Sequence, residues 1–152
     1  MRACCFTGHR VIPEEKLEHV EHELRREIKN AIDDGITLFI SGFAKGADLL
    51  FAQIVCEYRE SIDNIQLEAA LPYSKWANRT DKPFPELLQK CSIVGSISKE
   101  YSPDCFMKRN MFMVDMSERV ITAYDGRGKG GTYNTIVYAR KQKKEIRTII
   151  IF

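Results

Sequence analysis

Two glycine-rich turns in this sequence combine flexible backbone with cationic side chains, a combination suited to binding phosphate. They span residues 41–48 and 125–132 and hold six of the nine glycines in the chain. Glycine lets backbone N–H groups approach a ligand, and a helix starting directly after the turn adds free N–H groups and a positive dipole end. Lys45 and Lys129 would add full charges for phosphate oxygens. Either turn alone could serve only the fold, but two together predict a phosphate-bearing small ligand.

Strand and helix patterns alternate along the chain and place both turns after predicted strands. Apolar runs predict strands over residues 2–7, 36–40, 65–71, 92–97, 119–124 and 146–152. Apolar residues at helical spacing predict helices over residues 13–35, 47–58, 85–90, 103–116 and 131–142. The third strand carries Gln66 and Glu68 and is expected nearer an edge. Such alternation predicts an α/β, Rossmann-like three-layer αβα sandwich with a mostly parallel sheet, as one domain over residues 1–152.

Ligands bind such sheets outside the carboxyl ends of the strands, so the residues after each strand are the candidates. His9 and Arg10 follow the first strand, where they would contact a base or phosphate, or cap the next helix. Arg109 interrupts an apolar helix and either points outward or reaches a site or subunit interface. The predicted ligand-binding residues are Gly8, His9, Arg10, Ser41, Gly42, Lys45, Gly46, Asp48, Arg79, Arg109, Asp125, Gly128, Lys129, Gly130, Gly131 and Thr132.

Two carboxylates in this set have two interpretations each. Asp48 would accept a ribose hydroxyl or hold its loop, or it simply stabilises the start of a helix by about 0.3–1 kcal/mol. Asp125 would likewise meet a hydroxyl, or it forms a turn. His19 and His22 lie among glutamates on the first helix and are expected on a solvated face, so no metal site is predicted.

The common nucleotide-binding motifs are absent. Gly126 and Gly131 have the spacing of a P-loop, but Thr132 stands where that motif needs lysine. A Gly-x-Gly-x-x-Gly motif is missing after the first strand, and a near match occurs only after the fifth. These departures exclude a standard nucleoside triphosphatase and a standard dehydrogenase.

Charge and cysteine content limit the classes of binding partner and the cellular compartment that we expect. The chain has 23 Lys and Arg against 21 Asp and Glu, a net charge of +2, which argues against a protein held on nucleic acid by bulk charge. One basic cluster, Arg140, Lys141, Lys143 and Lys144, suits a helix end and lacks interleaved aromatic residues for stacking bases. No apolar run suits a signal peptide or a membrane span, and the five cysteines form no CxxC pair. We therefore expect a cytoplasmic protein with reduced thiols and no membrane partner.

Five motifs, in order along nearly the whole chain, carry a family resemblance. They are Phe6-Thr7-Gly8-His9-Arg10, Ser41-Gly42 with Gly46-Ala47-Asp48, Leu71-Pro72-Tyr73 with Trp76, Arg109-Asn110 with Met113-Val114-Asp115, and Tyr124-Asp125-Gly126 with Gly130-Gly131-Thr132. The sequence resembles the YpsA-like family of the SLOG superfamily. That superfamily includes the DNA-processing protein DprA, the cytokinin-activating LOG enzymes and proteins described as molybdenum-cofactor carriers. The resemblance implies a Rossmann-like fold and a bound nucleotide or derivative related to ADP-ribose or NAD.

One departure from the LOG pattern bears on activity. LOG enzymes carry an acidic residue after their Pro-Gly-Gly-x-Gly-Thr loop, used in cleaving the ribose–base bond. Here Gly130-Gly131-Thr132 is followed by uncharged residues, and the first later acid is Glu145. We therefore expect a protein that senses or presents its ligand, with self-association left open. The alternatives are a LOG-like phosphoribohydrolase acting on nucleoside monophosphates and a DprA-like single-stranded DNA-binding module.

Overall fold

Six strands form one fully parallel sheet in the computed structural model, which describes residues 1–152. The strands are β1 (Ala3–Gly8), β2 (Leu38–Ser41), β3 (Gln66–Tyr73), β4 (Ile93–Ser98), β5 (Arg119–Tyr124) and β6 (Glu145–Ile150). Their order across the sheet is β4-β3-β2-β1-β5-β6, and every neighbouring pair is parallel. The structure confirms the predicted α/β, Rossmann-like fold.

Five α-helices connect the strands, close to the predicted positions. They are α1 (Glu14–Asp33), α2 (Ala47–Arg59), α3 (Phe84–Gln89), α4 (Cys105–Met116) and α5 (Gly131–Lys141), and a short 3₁₀ helix covers Ser74–Asn78. Pro13 lies just before α1, with Glu14 and Glu15 in the first turn, where acidic side chains favour the helix dipole. Gly35 follows the helix with φ of 96°, a conformation that glycine adopts readily. The 3₁₀ helix lies between the third predicted strand and the third predicted helix, where the sequence patterns predict neither element.

Successive residues of a strand point to opposite faces of the sheet, so both faces carry apolar side chains. Helices cover both faces and bury these side chains. Cys4 and Phe6 of β1 pack into the larger core, which contains the buried faces of α1, α2 and α3. Ala3 and Cys5 pack into the smaller core, which contains Met113 of α4. The three layers predicted from the alternation of elements are therefore present.

β3 lies one strand from an edge of the sheet, nearer to it than β1 and β2. β3, expected nearer an edge, has a neighbour on each side, and the exposed strands β4 and β6 take the edges. Leu67 and Leu71 of β3 are fully enclosed by the larger core, and even Glu68 is buried. Burial raises the pKa of the Glu68 carboxyl. The polar side chains of β3 therefore do not indicate a solvent-exposed face of this strand.

Candidate functional site

A cavity of about 380 Å³ opens at the carboxyl edge of the sheet, beside the ends of β1 and β5. The chain runs outward from β1 through β2 and β3 to β4, and then returns to the other side of β1 to form β5. The cavity therefore lies at the point where the strand order reverses, the usual ligand position in open α/β sheets. The predicted residues that line it are Gly8, His9, Arg10, Asp48, Arg109, Lys129, Gly130, Gly131 and Thr132.

The start of α5 forms one wall of this cavity and is open. Gly130 has φ of 100° and precedes Gly131, the first residue of the helix, and no side chain caps it. A Cβ atom added at Gly130 or Gly131 would meet nothing within 4 Å. The first N–H groups of a helix lack partners within it and carry partial positive charge. This wall can therefore donate hydrogen bonds to an anion.

Cationic side chains surround the same wall. Lys129 stands directly before the two glycines and makes no ion pair, and the guanidinium of Arg10 lies 5.5 Å from the centre of the Phe106 ring. Arg127 also lines the cavity, although the sequence reasoning missed it, and its Nε donates to Asp125 Oδ2 at 2.9 Å. Because Arg127 is already paired, Lys129 and Arg10 carry most of the uncompensated positive charge at the mouth.

Arg109 reaches the cavity from α4. The sequence left open whether this residue points outward or reaches a site or subunit interface. Only 4% of the residue is exposed. Its Nη1 donates to the carbonyl oxygens of Gly42 at 2.5 Å and Ala70 at 3.2 Å, and its Nε donates to Asn110 Oδ1 at 2.8 Å. A Cβ atom at Gly42 would lie 2.7 Å from the guanidinium carbon. Gly42 therefore makes room for Arg109 and does not itself line the cavity.

The first glycine-rich turn, between β2 and α2, satisfies its own backbone. Phe43 N donates to Ser41 Oγ at 3.1 Å, and Ala44 N donates to Asp48 Oδ2 at 3.1 Å. Ser41 Oγ donates in turn to the Asp48 carbonyl at 3.0 Å. The structure does not bring Ser41, Gly42, Lys45 or Gly46 into the cavity. The N–H groups of Phe43 and Ala44 are therefore already bonded within the turn, unlike those at the start of α5.

Lys45 and Gly46 line a neighbouring groove between the starts of α1 and α2. Gly46 has φ of 89°, and a Cβ atom there would overlap the carbonyl oxygen of Arg10. This close approach holds the β1–α1 loop, and with it Arg10, against the start of α2. Gly46 therefore acts on the cavity through the position of Arg10.

Asp48 supplies the only carboxyl group that lines the cavity. Burial raises the pKa of this carboxyl to about 6, against the opposing charges of Arg109 and Arg10 and the hydrogen bond from Ala44. The group can thus exchange a proton near neutral pH, and its oxygens can accept hydrogen bonds from hydroxyls.

His9 and Asp125 form a pair at the rim. His9 Nε2 accepts a hydrogen bond from Asp125 N at 3.2 Å and lies 3.1 Å from Asp125 Oδ1. Burial lowers the pKa of His9, so the ring is mainly neutral at pH 7. Hydrogen bonds from Arg127 hold the pKa of Asp125 at about 2. Asp125 does not line the cavity, and it orients His9 and Arg127.

The remaining predicted residues lie elsewhere. Arg79 pairs with Asp81 at 2.8 Å and covers the Trp76 ring at 4.6 Å, outside the cavity, and Gly128 also lies off the lining. The cavity residues outside the predicted ligand-binding set are Phe6, Thr7, Val11, Ala44, Phe106, Asn110, Met113 and Arg127. The positions 106, 109, 110 and 113 recur at helical spacing on α4, a signal that could have identified this face.

The basic cluster at residues 140–144 begins in the last turn of α5, at the opposite end of the helix from the cavity. It therefore does not extend the surface around Lys129. None of the helices combines the length and the apolar surface that a membrane span requires.

Comparisons with known proteins agree with the fold and the motifs. A family model described as the YspA SLOG family matches residues 7–151. A UPF0398 protein of Bacillus thuringiensis (strain Al Hakam) is 27% identical over 136 residues, covering 86% of this chain and 73% of the relative. A UPF0398 protein of Ligilactobacillus salivarius (strain UCC118) is 26% identical over 125 residues, covering 78% and 68%. The X-ray structure of TM1055 superposes with a TM-score of 0.63 at 19% identity, covering 96% of this chain and 72% of that one, which shows the shared fold.

Proposed function

The chain belongs to the YpsA-like SLOG family, whose fold is related to nucleotide binding, and from this premise we propose that it binds a phosphate-bearing nucleotide derivative of the ADP-ribose or NAD class. The ligand's phosphate sits against the start of α5, and its ribose faces Asp48. In this proposal the protein senses or presents the ligand.

The observation that carries the proposal is the uncapped start of α5 facing a cavity at the sheet's switch point. Gly130 and Gly131 leave space for a phosphate to approach the backbone, and Lys129 and Arg10 supply unpaired positive charge beside it. Hydrogen bonds from N–H groups at a helix start to a phosphate are charge-assisted and stronger than neutral ones.

Size and polarity favour a phosphorylated sugar in the cavity itself. A volume of about 380 Å³ is near the lower end of ligand cavities, so a ribose phosphate fills it and a larger ligand extends beyond it. The Asp48 carboxylate, held by Ala44 N, is placed to accept hydrogen bonds from ribose hydroxyls.

Isothermal titration calorimetry with ADP-ribose tests the proposal. Lys129→Ala should weaken binding about 2- to 5-fold, the effect expected for one exposed charge, and the difference should shrink as salt is raised. Lys141→Ala is the matched control, because Lys141 is an exposed lysine near the far end of α5 and should leave the affinity unchanged. Failure of ADP-ribose, NAD and AMP to bind, or equal losses from both variants, would refute the proposed site.

A second candidate, the LOG-like phosphoribohydrolase, is favoured by one observation. The sequence lacks the LOG-type acidic residue after Gly130-Gly131-Thr132, but the Asp48 carboxyl lines the same cavity and could take its role. With a pKa of about 6, it would donate its proton to the base as the ribose–base bond breaks, and the resulting carboxylate would take up the proton that the attacking water loses on bonding to the ribose carbon. Chromatography of protein incubated with AMP decides between the two: release of adenine, lost in Asp48→Asn, favours hydrolysis, and unchanged AMP over hours favours binding alone.

A further inference from the structure

Four aromatic rings gather beside the cavity, at the carboxyl ends of β3 and β4. The Tyr73 ring lies edge-on to Trp76, Tyr101 and Phe106, with centroid distances of 5.8, 5.7 and 6.4 Å. Trp76 and Phe106 also meet edge to face at 5.5 Å. We call these four residues the aromatic cluster.

The hydrophobic core does not account for this cluster. Tyr73, Tyr101 and Phe106 belong to neither apolar core, and 62% of Tyr101 is exposed. Trp76 packs partly against the larger core, and its Nε1 donates to the Phe43 carbonyl at 3.0 Å, which fixes the indole. Exposed aromatic rings that are rigidly held beside a cavity are typical of recognition surfaces.

The cluster is continuous with the phosphate cavity through Phe106. This ring lines the cavity and contacts the other three rings of the cluster. Arg10 lies over the same ring at 5.5 Å. A ligand whose ribose phosphate fills the cavity therefore has an aromatic surface next to it on the α4 side.

We propose that the aromatic cluster is the nucleobase subsite of the bound ligand, with the base stacked on the exposed Tyr101 ring. Phe106 is tilted by 66° from that ring and borders the subsite on the side of the cavity. The inference rests on the proposed function and specifies which part of a nucleotide lies where. Bases stack favourably on aromatic side chains, and the cluster offers ring surface without selecting one base by hydrogen bonds. The subsite therefore accepts a flat heteroaromatic group.

The groove between α1 and α2 fits a base less well. It is larger, at about 770 Å³, but its apolar lining is aliphatic, from residues such as Leu17 and Leu50. Its lining holds Glu18 and Glu21 together with Arg10 and Lys45, so it has no net positive charge to attract the phosphates of the same ligand. The groove is the competing position that an experiment must separate from the aromatic cluster.

Trp76 makes the test direct, because it is the single tryptophan of the chain and lies inside the aromatic cluster. Titration with ADP-ribose should change the intrinsic emission, whereas ribose 5-phosphate should bind the cavity and leave the emission unchanged. Tyr101→Ala should weaken ADP-ribose binding about 5- to 150-fold and leave ribose 5-phosphate binding unchanged. Tyr101→Phe is the control, since it keeps the ring and should retain the affinity.

The outcomes separate this inference from the proposed function. If neither ligand binds, the proposed function fails and the inference falls with it. If both bind with equal affinity and the emission stays constant, or if ADP-ribose binds more tightly but equally in Tyr101→Ala and the unchanged protein, the base lies elsewhere and only the inference fails. Because Tyr101 is mostly exposed, its replacement should leave the fold intact, and circular dichroism checks this.

Discussion

Replacing Asp48 with Asn should stabilise the protein at pH 8 and leave its stability unchanged at pH 3. Burial raises the pKa of the Asp48 carboxyl from its ordinary 3.8 to about 6, so the folded state resists its ionisation. One pKa unit corresponds to about 1.4 kcal/mol, so ionised Asp48 costs the fold up to about 3 kcal/mol. This cost is absent below pH 3.8, where the carboxyl is protonated in both states, grows between pH 3.8 and 6, and is complete above pH 6.

Asparagine keeps the shape of the side chain and its acceptor for Ala44 N, and it has no charge to bury. Urea unfolding at pH 8 and pH 3 measures the difference between the two proteins, which cancels the other titrating groups. The full effect corresponds to a gain of about 6–12 °C in melting temperature for a chain of this size. The same substitution should weaken ADP-ribose binding, because the ribose loses its charged acceptor.

Asp125→Asn is a control with the opposite sign. Hydrogen bonds from Arg127 lower the pKa of Asp125 to about 2, so its carboxylate stabilises the fold above pH 3.8, and that contribution is lost as the pH falls through 2. Asp125→Asn should therefore be less stable than the unchanged protein at pH 8. If Asp48→Asn is also destabilising at pH 8, or gains as much at pH 3 as at pH 8, the reasoning from burial is wrong.

Three further predictions concern two glycines and His9. Gly131→Val should abolish ADP-ribose binding with little change in melting temperature, because a side chain there enters open space at the cavity wall. Gly42→Ala should instead lower the unfolding free energy by about 2–3 kcal/mol, because its Cβ would displace Arg109 from its carbonyl partners; equal stability of the two variants would contradict this. An NMR titration should give His9 a pKa below 6.5, since burial disfavours the charged ring, and stability should fall as acid protonates it. A value above 6.5 would mean that Asp125 outweighs burial.

Local patterns were enough to predict the fold and about half of the residues that line the candidate cavity. Strands that are buried on both faces appear in the sequence as continuous apolar runs. The glycines at the start of α5 indicate an uncapped helix start, and this signal lies within a few neighbouring residues. The different uses of the two glycine turns could not be predicted. The first turn is closed by hydrogen bonds from its backbone to the side chains of Ser41 and Asp48. It is also contacted by Arg109, which lies 67 residues after Gly42 in the sequence. The aromatic cluster is also assembled from separate segments, so no spacing reveals it.

The strand order has a consequence for synthesis of the chain from its amino end. The first four of the six strands, β1 to β4, are neighbours in sequence order and can assemble as a four-stranded sheet before β5 is synthesised. Before α4 and α5 are synthesised, no helix packs on the sheet face that carries Ala3, Cys5 and Ile40. The cavity needs residues from both sides of the returning connection, from Gly8 to Thr132. A ligand can therefore bind, and stabilise the fold, only after nearly the whole chain has been synthesised.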